Sequence, residues 1–145
     1  MHSMTREEWL AFACEGTRTG KFAVTRAAGS PHVTPVWFLI DETPDGDDIV
    51  FTTATDGLKG RALRRDPRFA LCVDDQTPPY SFVLIEGTAT LSEDLDELLH
   101  WATRLGARYM GAEAAEAFGR RNAVPGETLV RGRITRVTAQ ADLAD

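Results

Sequence analysis

Lys59, Arg61, Arg64, Arg65 and Arg68 crowd into ten residues of a chain whose formal net charge is −6. In an acidic protein, such a run is a local anion-attracting patch. It follows Phe51-Thr-Thr-Ala-Thr-Asp-Gly-Leu-Lys59, which reads as a strand ending in two hydroxyls, Thr52 and Thr53, a small loop, and a lysine opening a helix. Lysine at that place opposes the helix dipole, whose N-terminal end is already positive. A bound phosphate reverses the penalty, because helix N–H groups, the ammonium and the threonine hydroxyls can all point at one anion. The competing reading is a solvated helix face whose cations pair with Asp56 and Asp66.

Other reactive residue types form no such constellation. His32 falls on a strand and His100 on a helix, and no cluster of Cys, His or carboxylates has metal-ligand spacing. Ser30 and Ser81 lack the surroundings of a nucleophile elbow. Cys14 and Cys72 read as reduced, buried small hydrophobes. Trp37, in an apolar strand, reads either as core or as a platform for a ligand ring. Arg131, Arg133 and Arg136 share one face of the last strand, where they are either solvated or available to an acidic ligand. No catalytic acid is identifiable.

These residues need elements to position them. Thr5 and Glu8 form a capping box ahead of a short helix bearing Trp9, Leu10, Phe12 and Ala13. Six strands are predicted: Lys21–Ala27, His32–Ile40, Asp48–Thr53, Arg68–Asp74, Ser81–Leu91 and Thr128–Thr138, with turns at Ala28-Gly-Ser30 and Thr43–Asp47. A helix over Lys59–Arg65 ends at Asp66-Pro67. Ser92 caps a longer helix with a buried stripe of Leu95, Leu98, Leu99, Ala102 and Leu105, continuing brokenly to Arg121. Strands in hairpin order with few helices predict a mainly β fold, an antiparallel barrel with flanking helices, and exclude a Rossmann site.

The 145 residues are expected to form one domain, 1–145. Acidity argues against phosphate-backbone contacts with nucleic acid. No apolar stretch approaches the roughly 20 residues of a membrane span. The N-terminal residues carry no signal pattern, so a cytoplasmic location is expected.

In order and spacing, Gly29-Ser-Pro-His-Val-Thr-Pro-Val-Trp-Phe38, the Lys-x-Arg-x-Leu-x-x-Asp-Pro67 helix and Ile85-Glu-Gly-Thr-Ala89 resemble the pyridoxamine-phosphate-oxidase-like flavin-binding superfamily. The likeness is greatest to its branch using the deazaflavin coenzyme F420. It implies a six-stranded antiparallel split β-barrel, a homodimer with cofactor sites at the subunit interface, and an oxidoreductase acting on a small-molecule substrate. The cofactor is F420, with FMN the alternative. A protein that only binds flavin, F420 or a tetrapyrrole is a further alternative.

By the same resemblance, Thr34, Pro35, Val36 and Trp37 run along the cofactor ring, Thr52, Thr53 and Lys59 hold its phosphate, and Leu58 beside the lysine is a further cofactor-binding position. Arg61 is a second anion contact, and Tyr80 reaches the ring or substrate across the dimer. Oxidases proper carry an Arg-Lys pair where this chain has Leu58-Lys59, an Arg at Thr34, a Lys near Leu39 and a Gln near Phe82. Losing those charged contacts favours the deazaflavin branch.

Overall fold

The apolar run from His32 to Ile40 does not make one strand. In the computed structural model, which describes residues 1–145, it divides at Trp37-Phe38 into β3 (Pro31–Val36) and β4 (Leu39–Thr43). The division shapes the molecule, because β3 and β4 take opposite ends of the order β3-β2-β6-β7-β8-β5-β4. The other strands are β2 (Gly20–Thr25), β5 (Gly46–Ala54), β6 (Arg68–Asp75), β7 (Ser81–Ser92) and β8 (Glu127–Ala141). A short β1 (His2–Ser3) pairs with β8, and every pairing is antiparallel. From Val36 to Leu39 the chain reaches at most about 11 Å. The two outer edges of the sheet must therefore curl together without pairing, which produces a split barrel of eight strands, where six were expected.

Side chains from helix α3 (Leu95–Met110) hold the split. The Phe38 N–H donates to the Tyr109 hydroxyl at 3.1 Å, and that hydroxyl donates to the Arg18 carbonyl at 2.8 Å. Arg108 donates to the carbonyls of Phe38 at 2.6 Å, Ala13 at 2.8 Å and Gly16 at 2.9 Å. Backbone groups that leave the ladder at Phe38 thus find partners, as buried peptide groups must. The same guanidinium fastens the end of α1 (Arg6–Cys14), which begins with the expected Thr5–Glu8 capping box.

Period-2 patterning fills the barrel with Phe22, Ile49, Phe51, Leu71, Val73, Ile85 and Val130, all fully buried. Residues of the opposite parity, Val50 and Leu129, point outward and are covered by Leu98 and Trp101 of α3. The α3 stripe is therefore Leu98, Trp101, Ala102, Leu105 and Gly106; Leu95 and Leu99, expected inside, are exposed. Its cap is Asp94, whose carboxylate accepts from Glu97 N–H at 2.9 Å. Ser92, the expected cap, instead accepts from Asp94 N–H and donates to the Glu97 carboxylate. A 3₁₀ turn (Ala112–Ala114) leads into α4 (Ala115–Asn122). Both cysteines are free, but Cys14 is exposed where a buried side chain was expected. Helix α2 (Leu58–Arg65) stops at Asp66, whose extended conformation is the one favoured before Pro67. No helix is long and apolar enough to cross a membrane.

Candidate functional site

The end of β5 and the start of α2 are held together by close backbone packing. A Cβ on Gly60 would collide with the carbonyl oxygens of Thr55 and Ala54, the latter at 2.7 Å. Only glycine lets the first turn of α2 settle on the loop after β5, and this packing aims Lys59 toward β3. The Lys59 ammonium donates to the Thr34 hydroxyl at 3.2 Å and contacts no carboxylate. The helix start has Gly57 as an N-cap with no side-chain hydrogen bond, and no acidic residue in its first turn. Its unsatisfied N–H groups and the lysine form a cationic corner.

That corner belongs to a cleft of about 330 Å³, lined from β3 and its end by Pro35, Val36 and Trp37, from β5 by Thr52, Thr53 and Ala54, and from α2 by Lys59. Helix α3 adds Ala102, Leu105 and Gly106, α4 adds Asn122, and β8 adds Glu127. Gly106 lets α4 approach closely, since a Cβ there would meet Phe118 Cβ at 2.8 Å. Trp37 stacks on Tyr109, with ring centroids 5.1 Å apart and planes 5° from parallel. One indole face is thereby committed to the protein, so Trp37 serves as both packing and cleft wall. Burial pushes the Tyr109 hydroxyl up from its ordinary pKa, keeping it a neutral bridge.

Sequence-derived candidates divide between places. Pro35, Val36, Trp37, Thr52, Thr53 and Lys59 meet in the cleft, with Thr34 attached through Lys59. Leu58 and Arg61 lie on another face of α2, along a second cleft. Tyr80 is outside both; it sits in the β6–β7 loop, 43% exposed, with φ 64° and its carbonyl accepting from Leu143 N–H. The solvated-face reading fits only part of the basic run: Arg64 pairs with Asp56 at 3.8 Å and Arg68 with Asp66 at 2.7 Å.

The C-terminal arginines are neither free nor in the cleft. Arg131 and Arg133 clamp the buried Asp48 carboxylate at 3.0 and 2.7 Å, Arg131 also reaches Asp41, and Arg136 lies 3.8 Å from Glu86. His32 is half-buried with an Nδ1 that has no partner. No group of three or more His, Cys, Asp or Glu residues is arranged to hold a metal ion.

Sequence reasoning missed Asn122, Glu127 and Gly106. Glu127 is the carboxyl-bearing residue of the lining, and burial pushes its pKa up. Nothing local marks it, because its place follows from the Ala54–Glu127 pairing between β5 and β8.

The site holds a cationic corner beside a partly apolar wall, in a volume at the lower end of the roughly 300–1,000 Å³ of small-molecule pockets. A phosphate-bearing planar cofactor fits that donor set. Known proteins share the fold. The solved structure of a conserved hypothetical protein, Rv2991, of Mycobacterium tuberculosis is 26% identical, with a TM-score of 0.79 over 94% of this chain and 84% of that one. An F420 reductase is 25% identical, with a TM-score of 0.65 over 86% of this chain and 91% of that one. A FAD-binding protein of Mesorhizobium loti, at 16% identity and a TM-score of 0.65 over 95% and 93%, shares the fold. No curated protein matched the sequence. The model of one family, pyridoxamine 5'-phosphate oxidase, matches residues 5–141, and the chain belongs to that flavin-binding split-barrel family.

Proposed function

We propose that the chain is a homodimeric oxidoreductase that binds coenzyme F420 in this cleft and reduces a small conjugated organic acceptor. The observation that carries the reading is the convergence of Pro35–Trp37, Thr52, Thr53 and Lys59 on one cleft at the uncapped start of α2. The 25%-identical F420 reductase supports the deazaflavin over other flavin-type cofactors. So does the presence of Leu58 and Thr34 where the oxidases proper carry arginine.

Each part of the chain has a task in this reading. Lys59, the α2 N–H groups and the Thr52 and Thr53 hydroxyls hold the cofactor phosphate. Thr34 orients the lysine through the 3.2 Å hydrogen bond. The segment Thr34–Trp37 runs along the ring, and Trp37 is kept rigid by Tyr109. Ala102 and Leu105 keep water from the apolar wall. Bound there, the reduced deazaflavin supplies a hydride, and the protein contributes binding, orientation and electrostatics. Glu127 is the carboxyl group of the lining and the candidate to hold the proton that must accompany the hydride; burial pushes its pKa up. A second copy covers the cleft beside the outward-facing Pro31, Val33 and Pro35 and brings its own Tyr80 to the ring.

The test is oxidation of reduced F420 by the purified protein in the presence of enones, quinones or nitroaromatics, followed by absorbance. Acceptor-dependent oxidation is expected. Acceptor reduction that proceeds equally without any deazaflavin or flavin would overturn the proposal. The same Lys59 corner also suits an FMN phosphate, and turnover with FMN alone would move the protein to that cofactor.

A further inference from the structure

Helix α2 borders two clefts. The second, of about 280 Å³, is lined by Arg26 and Ala27 from the end of β2 and its turn, and by Leu58, Arg61, Ala62 and Arg65. The four α2 residues are spaced i, i+3, i+4 and i+7, so they form one face of the helix, distinct from that of Lys59. Three guanidiniums therefore share one concavity, and no carboxylate lines it.

This is unusual for the chain. Elsewhere, Lys59 of the first cleft apart, its cations are answered: Arg6 by Asp47 at 2.8 Å, Arg18 by Glu15 at 2.7 Å, Lys21 by Asp74 at 3.1 Å, and Arg131 and Arg133 by Asp48. Arg104, Arg108 and Arg121 lie over aromatic rings. On α2 itself, Arg64 pairs with Asp56. Arg61 and Arg26 have neither kind of partner, and Arg65 donates only to the Thr25 carbonyl at 3.1 Å, which steadies its guanidinium beside the cleft. Like charges gathered in a concavity repel unless an anion joins them. Arginine's planar fork is the side chain best suited to phosphate or carboxylate oxygens.

We infer that this cleft is a binding site for a multivalent anion, two or more adjacent phosphates or carboxylates held by Arg26, Arg61 and Arg65. Such a group belongs either to a separate ligand or to the far end of a molecule seated in the first cleft, which the same helix borders.

Calorimetric titration of the full chain with sodium tripolyphosphate tests the site, with inorganic phosphate as the single-phosphate control. Tripolyphosphate is expected to bind most tightly at one site per chain, and more tightly than phosphate. Its affinity should fall at least tenfold in Arg26→Gln/Arg61→Gln, a double variant that spares the Arg65–Thr25 contact. Thermal melting of the variant should match the parent, and Lys59→Ala should leave tripolyphosphate affinity within about twofold. No binding, equal affinity in the double variant, or loss of binding through Lys59→Ala alone would overturn the inference.

Repeating the titration after loading with F420 separates the sources. Unchanged affinity identifies a separate ligand, and competition identifies the cofactor's own anionic end. That arm alone rests on the proposed function, so F420 failing to bind would leave the titration of the unloaded chain standing.

Discussion

Lys59 donates to the Thr34 hydroxyl and to no carboxylate, whereas Arg64 and Arg68 of the same basic run are ion-paired with Asp56 and Asp66. The unpaired lysine is the one at the helix start, where positive charge is least favourable without an anion. Lys59→Ala is expected to weaken cofactor binding by roughly 1.5–3 kcal/mol, about tenfold or more. Unchanged affinity in a fluorescence titration would return Lys59 to the role of a solvated cation. Glu127 yields a second prediction: Glu127→Gln should lower kcat at neutral pH with cofactor affinity preserved. An unaltered pH–rate profile would mean that solvent delivers the proton.

Asp66 yields a third. Hydrogen bonds from the Arg68 guanidinium and N–H lower its pKa from 3.8 to about 2. A carboxylate depressed in the folded state stabilises above its unfolded pKa, and that stability is lost as pH falls through the folded value. Acid unfolding followed by circular dichroism should therefore show a component between about pH 4 and 2 that Asp66→Asn abolishes. An identical acid limb in the variant would show that the pair contributes nothing to stability.

The elements that carry these residues were legible in the sequence to different degrees. Local signals held where the cause is local: the Thr5–Glu8 capping box, the Gly29 turn, and the stop of α2 at Asp66-Pro67. They failed where distant residues decide. Nothing between His32 and Ile40 announces that the ladder changes partners at Trp37-Phe38, because the groups accepting that break, Arg108 and Tyr109, lie some 70 positions away. The α3 stripe was misjudged because Leu95 and Leu99 extend one apolar face while Trp101 and Gly106 widen the neighbouring one, and the sheet chooses the latter. Arg131 and Arg133 are likewise unreadable without Asp48, which meets them only through the pairing of β5 with β8. Within this scaffold the contact of α2 with the β5 end is the tightest constraint on Lys59. Gly60→Ala is expected to cost about 1–3 kcal/mol by overpacking and to weaken cofactor binding together with stability. A variant that melts lower yet binds normally would show that α2 can shift without moving Lys59.

For the whole molecule, curling of the sheet brings strand ends far apart in sequence to one side of α2, where the chain's few unpaired cations collect. An acidic protein that concentrates free positive charge at two adjoining clefts is arranged to draw an anionic ligand to one locality. Thr52, Thr53 and Lys59 were legible because the hydroxyls and the lysine are close in sequence, whereas Thr34–Trp37 were indicated by the family resemblance alone. The opposite wall, from Ala102 to Glu127, was not, because its residues meet the cleft only through the barrel. The proposed homodimer predicts a solution mass twice that of the 145-residue chain by light scattering, and a monomer at micromolar concentration would contradict it. The central claim, that the cleft beside Lys59 holds a flavin-type cofactor with preference for the deazaflavin, is tested most directly by titrating the purified protein with F420 and FMN in parallel while following cofactor fluorescence. Micromolar or tighter binding of F420, weaker binding of FMN, and weakening of both by about tenfold or more on Lys59→Ala are the predicted results; binding of neither cofactor would contradict the account.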